Sequence, residues 1–377
     1  MIYSPDKFGF YTVGDIKTYS KIEALELQKR TGHFPQWNFN NEIFSQQDWT
    51  IEPSLDLWEI YKQRARQIRE SYDYVVLMYS GGSDSHNLIS AWLEADCKID
   101  EIATQWNYAG TNDKQSFWND EITTVALPIV EALKNHGLEF KFRLLDVSQD
   151  TQDIVINTHS DDYRYLANNA FGPNNYAKNL WRERIREYLD IIASGKKLCF
   201  LWGSEKPIFY WDQKYYLVFQ DLIDNCVNTF TQLNYNQGWY DELFYWTPDL
   251  PMLPIKQAHV IKRFVETIHD PQFYQTGRTR YGYNKKLDAY LTDRAIKLVL
   301  YPRWDDNTFI SPSGKTYSTM LSKRDTWLID GNTEAAGLYK NILCQLQKSV
   351  DTYWLNDNQT VLSGIKNCIT QRYYIER

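Results

Sequence analysis

Hydrophobic positions come in short blocks separated by polar, mixed stretches. The run Tyr74-Val75-Val76-Leu77-Met78-Tyr79 is continuous, rich in β-branched and aromatic residues, and too short for a helix of ordinary length. It predicts a strand buried on both faces. His86 to Ala95 is amphipathic and predicts a helix. Further blocks predict strands at Ile99–Trp106, Phe140–Leu145 and Leu198–Trp202. Asp120–His136 reads as a helix that Gly137 ends and Pro128 bends. Asn175–Ser194 reads as one long helix ended by Gly195. Lys178 and Arg182 share a face of it, expected to be exposed and paired with Glu183 and Glu187. Alternation of strands and helices predicts a parallel sheet with helices on both faces. Upstream, Phe8–Gly14 predicts a strand or hairpin edge. Ser20–Thr31 predicts a helix capped by Ser20 and stopped by Gly32, and Trp49–Ser71 contains another carrying Leu57, Ile60 and Ile68. Downstream, residues 208 to 219 alternate as a hairpin, while Ala258–His269 and Leu287–Leu300 read as helices. Phe309–Ser318 reads as a loop whose Lys315, with Lys323, could serve as a lid.

This pattern divides the 377 residues into three parts. Residues 1–70 form an N-terminal extension packing on the core, 71–207 the α/β domain, and 208–377 an aromatic-rich, mainly helical C-terminal region. Hydrophobic residues make up 43% of the chain, enough for a core without disulfides. Net charge is −7, which excludes a uniformly basic nucleic-acid binder. Charge is uneven, however. Lys256 to Arg303 holds ten Lys or Arg against four Asp or Glu, interleaved with Tyr274, Tyr281, Tyr283, Tyr290 and Tyr301. Such a segment can hold phosphates or stack a base, although a solvated helix face over an aromatic core also explains it. The five cysteines form no C-x-x-C pair, so a zinc ribbon or redox pair has no local support. His159-Ser160-Asp161-Asp162 and His269-Asp270 read as turns rather than metal sites. No apolar run is long enough to span a membrane, and Met1-Ile2-Tyr3-Ser4-Pro5 does not resemble a signal peptide. A cytoplasmic protein without a membrane partner is expected.

The most specific chemistry lies directly after the first core strand, in Ser80-Gly81-Gly82-Ser83-Asp84-Ser85. Strand, small-residue turn and helix N-terminus together make an anion site. Glycines let the backbone approach a ligand, first-turn amides point at it, and the helix dipole favours negative charge there. The polyphosphate of ATP suits such a site. In open parallel sheets ligands bind outside the carboxyl ends of the strands. That edge should also collect Gln105-Trp106-Asn107, Asp146-Val147-Ser148 and Gly203-Ser204-Glu205-Lys206.

The hexapeptide resembles the SGGxDS signature of the PP-loop ATP pyrophosphatases, and the chain is most similar to the synthetase domain of asparagine synthetase. The resemblance covers about 130 to 150 residues and is specific at this one motif. It implies a HUP-like parallel core, ATP and Mg²⁺ as cofactors, and cleavage of ATP to AMP and pyrophosphate. AMP would be attached to a carbonyl or carboxylate of a small-molecule acceptor, which an amine or ammonia then attacks. Carried onto this chain, it implies nucleotide contacts from Ser80, Gly81, Gly82, Ser83, Asp84, Ser85 and Gln105, with Asp84, Glu205 and Lys206 as the catalytic set. Asp84 and Glu205 would be the Mg²⁺ ligands, and Lys206 would neutralise pyrophosphate. Position 2 is Ile, so the N-terminal cysteine of a glutaminase is missing, and residues 1–70 are too few for that domain. Two other readings stand beside this one. A related enzyme could modify a nucleobase or tRNA, as the basic tyrosine-rich segment suggests. A nucleotide-binding regulator would keep the fold without turnover. The aromatic C-terminal region could also serve a homodimer.

Overall fold

The computed structural model describes residues 4–106, 108–111, 119–157, 181–203, 208–221, 237–267, 296–297, 299–304, 333–341 and 368–376. A 3₁₀ turn, Pro5–Phe8, precedes two short strands, β1 (Phe10–Val13) and β2 (Ile16–Thr18), then α1 (Lys21–Thr31), β3 (Gln36–Asn38), α2 (Asn41–Phe44) and α3 (Leu57–Ser71). The Ser20 hydroxyl accepts from the Glu23 amide at the start of α1, and Gly32 ends it in the left-handed conformation, as expected from the sequence.

The core continues through β4 (Tyr74–Met78), α4 (Ser83–Glu94), β5 (Glu101–Trp106) and α5 (Tyr108–Thr111). After a π-helical turn, Ile122–Ala126, come α6 (Leu127–Asn135), β6 (Lys141–Asp146), α7 (Ser148–Asn157), α8 (Arg186–Ala193) and β7 (Leu198–Trp202). The hairpin expected near 208 to 219 is β8 (Ile208–Asp212) with β9 (Lys214–Val218). Then follow β10 (Trp239–Leu243), α9 (Met252–Thr267) and β11 (Tyr373–Tyr374), which pairs with β9.

Among the described residues the central sheet has five strands, all parallel, in the order β10-β7-β4-β5-β6. Adjacent residues of β10 show how both faces are covered, because side chains alternate along a strand. Glu242 meets Arg64 of α3 on one face, at 2.8 Å. Asp241 meets Arg182 on the other, where α8 packs Tyr188 edge-on against Phe200. The fifth strand is drawn from beyond residue 207, in a region where the sequence suggested no core strand.

One expected element differs. Over its described residues the single helix Asn175–Ser194 is a 3₁₀ turn at Trp181–Arg184, an extended Ile185, and then α8. Arg182 is fully buried rather than on a solvent face. It forms a two-point ion pair with Asp241 at 2.9 and 3.0 Å, and its guanidinium lies 3.8 Å from the Phe200 ring centroid. A charge is tolerated there because both carboxylate oxygens and an aromatic face receive it. Most of Leu287–Leu300, together with the loop at 309–318, Lys315, Lys323 and the two His-Asp clusters, lies outside the described residues.

A second buried network fastens the N-terminal segment to the core. Lys7 donates to Glu242 at 2.6 and 2.7 Å and lies 2.8 Å from Asp249. Arg64 and the Tyr72 hydroxyl donate to the same Glu242 carboxylate. No helix among the described residues is long and apolar enough to cross a membrane.

Candidate active site at the carboxyl edge of the sheet

Strand order decides where a ligand can sit. From β4 the chain proceeds to β5 and β6 on one side, whereas β7 and β10 extend the sheet on the other. The chain thus crosses from one side of β4 to the other between β6 and β7, and parallel sheets of this kind bind ligands outside the carboxyl ends of the strands at such a switch point. The turn Ser80-Gly81-Gly82 lies at this switch point, between β4 and α4.

Several contacts fix the turn. Pairing with β5 continues past the end of β4: the Tyr79 amide donates to the Ala103 carbonyl at 2.9 Å, and the Thr104 hydroxyl donates to the Tyr79 carbonyl at 2.8 Å. Gly81 then turns the chain with φ of +84°, a conformation that disfavours any residue with a Cβ. A Cβ there would also lie 2.8 Å from the Glu121 carbonyl oxygen and 3.1 Å from the Ala126 amide nitrogen, so the π-helical turn backs the loop closely. The Ser80 and Ser85 hydroxyls stand 3.2 Å apart, and the Ser85 hydroxyl donates to the Gly82 carbonyl at 3.0 Å. These serines brace the turn from within.

Helix α4 begins at Gly82, which supplies no side-chain cap. By contrast Ser20 and Asp56 cap α1 and α3. At α4 the Gly82 amide instead donates to the Ser80 hydroxyl at 3.3 Å, so the turn itself supplies a side-chain oxygen at this helix start. Gly203, directly after β7, closes the other side. A Cβ on it would come 2.9 Å from Ser85 Cα and 3.0 Å from the Asp84 carbonyl oxygen and the Ser85 nitrogen. Glycine at 203 therefore lets the β7 loop touch the backbone of the α4 N-terminus.

Asp84 is half-buried, and two tyrosines hold it. The Tyr245 hydroxyl, two residues beyond β10, donates to the Asp84 carbonyl at 2.7 Å and accepts from Asn87 Nδ2 at 3.0 Å. The Tyr301 hydroxyl donates to the Asp84 carboxylate. Burial, reinforced by neighbours that include Asp84, raises both phenols well above their ordinary value, so both remain protonated donors.

His86 lies in the same turn of α4, with Nδ1 3.3 Å from the Tyr79 hydroxyl and its ring edge-on to Trp304. Burial lowers its pKa to about 4. The imidazole is therefore neutral at physiological pH and brings no positive charge to an anion. Folding lowers this pKa, so the native state gains over the unfolded chain above the ordinary histidine value. That gain is lost as pH falls from about 6.5 to about 4. An NMR titration of the ring should give a midpoint near 4, and a midpoint of 6 to 7 would contradict the buried geometry.

The expected residues fall into three groups. Ser80, Gly81, Gly82, Ser83, Asp84 and Ser85 lie together in one turn and helix start. Gln105 is half-buried near the end of β5, on the neighbouring strand at the same sheet edge, in register with Leu145. Glu205 and Lys206 lie outside the described residues, so of the β7 loop the site is built here from Gly203 alone. Sequence reasoning missed Tyr245, the role of Tyr301, and the packing of the π-helical turn under Gly81. Tyr245 carried one weak signal, its place in the aromatic run Phe244-Tyr245-Trp246. Among the described residues no group of three or more His, Cys, Asp or Glu could hold a metal ion. Compared with known proteins, the chain matches no protein-family model and no curated protein.

Proposed function

We propose that the protein is an ATP pyrophosphatase of the PP-loop kind, with a HUP-like core. It would adenylate a carbonyl or carboxylate oxygen of a small acceptor for attack by an amine or ammonia. The observation that carries this reading is the seating of Ser80-Gly81-Gly82 at the strand-order switch, against an α4 start that has no side-chain cap and that Gly203 approaches at backbone distance.

Such a turn suits a polyphosphate. Main-chain amides of the first turn of α4 would bind the departing pyrophosphate, and the helix dipole would favour its charge. The serine braces and the Glu121 and Ala126 backbone keep those amides in place before the ligand arrives, so little reorganisation is needed when charge develops. No side-chain nucleophile is required, since the acceptor oxygen attacks the α phosphorus and pyrophosphate leaves.

Mg²⁺ at nucleotide sites keeps several waters and takes phosphate oxygens together with one or two carboxylates. The single half-buried Asp84 carboxylate fits that requirement, whereas a dedicated protein cage is not formed among the described residues. Asp84, with Glu205 in the β7 loop, would hold the ion, whose role is to neutralise charge on the leaving group.

The test is pyrophosphate release from ATP and Mg²⁺, with amino acids, ammonia and bulk tRNA as acceptor classes. Wild type should release pyrophosphate with one class, and Asp84→Ala should lower the rate by about 10²-fold or more, the scale of losing one oriented electrostatic group. Equal rates in the two proteins would remove Asp84 from the reaction. Tight ATP binding without pyrophosphate under any condition would favour a regulator.

A further inference from the structure

The peptide group between Asp84 and Ser85 is held on its carbonyl side. The Tyr245 hydroxyl donates to the Asp84 carbonyl at 2.7 Å. Tyr245 is fully buried, and sheet pairing sets its place. The Phe244 amide donates to the Trp202 carbonyl at 2.9 Å, which continues β10 along β7 one residue past its end. The phenol oxygen accepts from Asn87 Nδ2 at 3.0 Å while its single proton goes to the Asp84 carbonyl. Gly203 comes against the same peptide group from β7, where a Cβ would lie 3.0 Å from both the Asp84 oxygen and the Ser85 nitrogen.

The amide side of that group is unpaired. Ser83 and Ser85 are 6% and 5% exposed, and neither main-chain amide has a hydrogen-bond acceptor among the described residues. Their neighbours are satisfied: the Gly82 amide donates to the Ser80 hydroxyl and the His86 amide to the Gly82 carbonyl. Main-chain donors on buried residues are nearly always paired, so two that are not point to a ligand with acceptor oxygens. A trans peptide is planar and points its C=O and N–H in opposite directions. A hydroxyl fixed on the Asp84 carbonyl therefore fixes the direction of the Ser85 amide. It also polarises the group, because a donor on the carbonyl strengthens donation by the amide. The Ser83 amide belongs to a different peptide, whose Gly82 carbonyl accepts from the Ser85 hydroxyl and the His86 amide instead.

We propose that Tyr245 is a positioning residue for anion binding: by holding the Asp84 carbonyl it aims and strengthens the Ser85 main-chain amide as a donor to the ligand's polyphosphate. This rests on the nucleotide reading above. It acts through the backbone, so neither the Asp84 carboxylate nor a cation enters it. It gives a site role to a residue that no motif in the sequence marks.

The experiment is calorimetric titration of wild type and Tyr245→Phe with inorganic pyrophosphate in EDTA, and with ATP in EDTA and in Mg²⁺. Loss of one neutral hydrogen bond should weaken all three by a similar factor, roughly 3- to 10-fold. Unchanged binding, or a loss confined to Mg²⁺, would overturn the proposal. A second readout separates aiming from packing. In amide NMR spectra of the wild type, saturation with pyrophosphate should move the Ser83 and Ser85 amide protons downfield. In Tyr245→Phe saturated with pyrophosphate, the Ser85 displacement should shrink while that of Ser83 persists. Equal shrinkage at both would mark a packing role and overturn the proposal, as would an unchanged Ser85 displacement. Absence of ATP and pyrophosphate binding in the wild type would remove the nucleotide reading and this inference together. Wild-type binding with an indifferent Tyr245→Phe would remove the inference alone.

Discussion

Gly81→Ala should weaken ATP binding by about 10²-fold while leaving the central sheet folded. Two effects act on the same atom. The backbone at Gly81 has φ of +84°, where an L side chain costs about 1–2 kcal/mol. The added Cβ would also meet main-chain atoms, the Glu121 carbonyl oxygen at 2.8 Å and the Ala126 nitrogen at 3.1 Å. Neither neighbour is a flexible side-chain end that could swing away. The turn or the π-helical segment must shift, and an error of about 1 Å in a binding constellation costs on the order of 10²-fold. Calorimetry with ATP measures this directly, and circular dichroism checks that the fold persists. Gly203→Ala separates the two causes, because its glycine is not in the left-handed region while its Cβ would press on Asp84 and Ser85. A similar loss there would show that the α4 N-terminus is what matters. Unchanged binding in both variants would mean that ATP does not use this turn.

Glu242→Ala should lower global stability by about 3–5 kcal/mol, the range for removing one partner of a buried ion pair. Glu242 is 1% exposed and accepts from Lys7, Arg64 and Tyr72. After truncation Arg64 keeps Gln67 and the Leu243 carbonyl, and Lys7 keeps Asp249. The net charge of the cluster nevertheless becomes positive inside the core. The shift of the urea midpoint at constant slope measures the loss. Glu242→Gln keeps the shape and should recover only part of it, because the charge is still missing. A loss under about 1 kcal/mol would show that the network is dispensable for holding the N-terminal segment to the sheet.

The parts of the fold legible in the sequence are those with local causes. Tyr74–Met78 and Leu198–Trp202 are fully apolar because both faces of the sheet are covered, so their blocks are unbroken. Helix α1 has its stop and start written in Gly32 and Ser20. Pro128 lies where the π-helical turn gives way to α6, so the expected bend takes the form of a change in helix type. What escaped has non-local causes. Trp239–Leu243 carries Asp241 and Glu242 in its centre, which reads as a polar interruption until Arg182 and Arg64 arrive from opposite faces. Arg182 reads as a surface residue for the same reason.

The candidate site divides along the same line. Ser80 to Ser85 were legible because strand, glycine turn and helix start are contiguous, and their chemistry follows from the backbone. Tyr245 and Tyr301 approach Asp84 from 161 and 217 residues away, and no spacing along the chain connects them to it. Strand order, which places the switch point between β4 and β7, is likewise a property of the folded sheet.

The central claim is that the turn between β4 and α4 binds the polyphosphate of ATP. The most direct test is calorimetric titration of the wild-type protein with ATP, pyrophosphate and AMP in Mg²⁺, repeated with Gly81→Ala. Saturable binding of ATP and of pyrophosphate, with AMP at least about tenfold weaker and all polyphosphate affinity reduced by Gly81→Ala, is the expected result. AMP binding as tightly as ATP, or polyphosphate binding indifferent to Gly81→Ala, would contradict it.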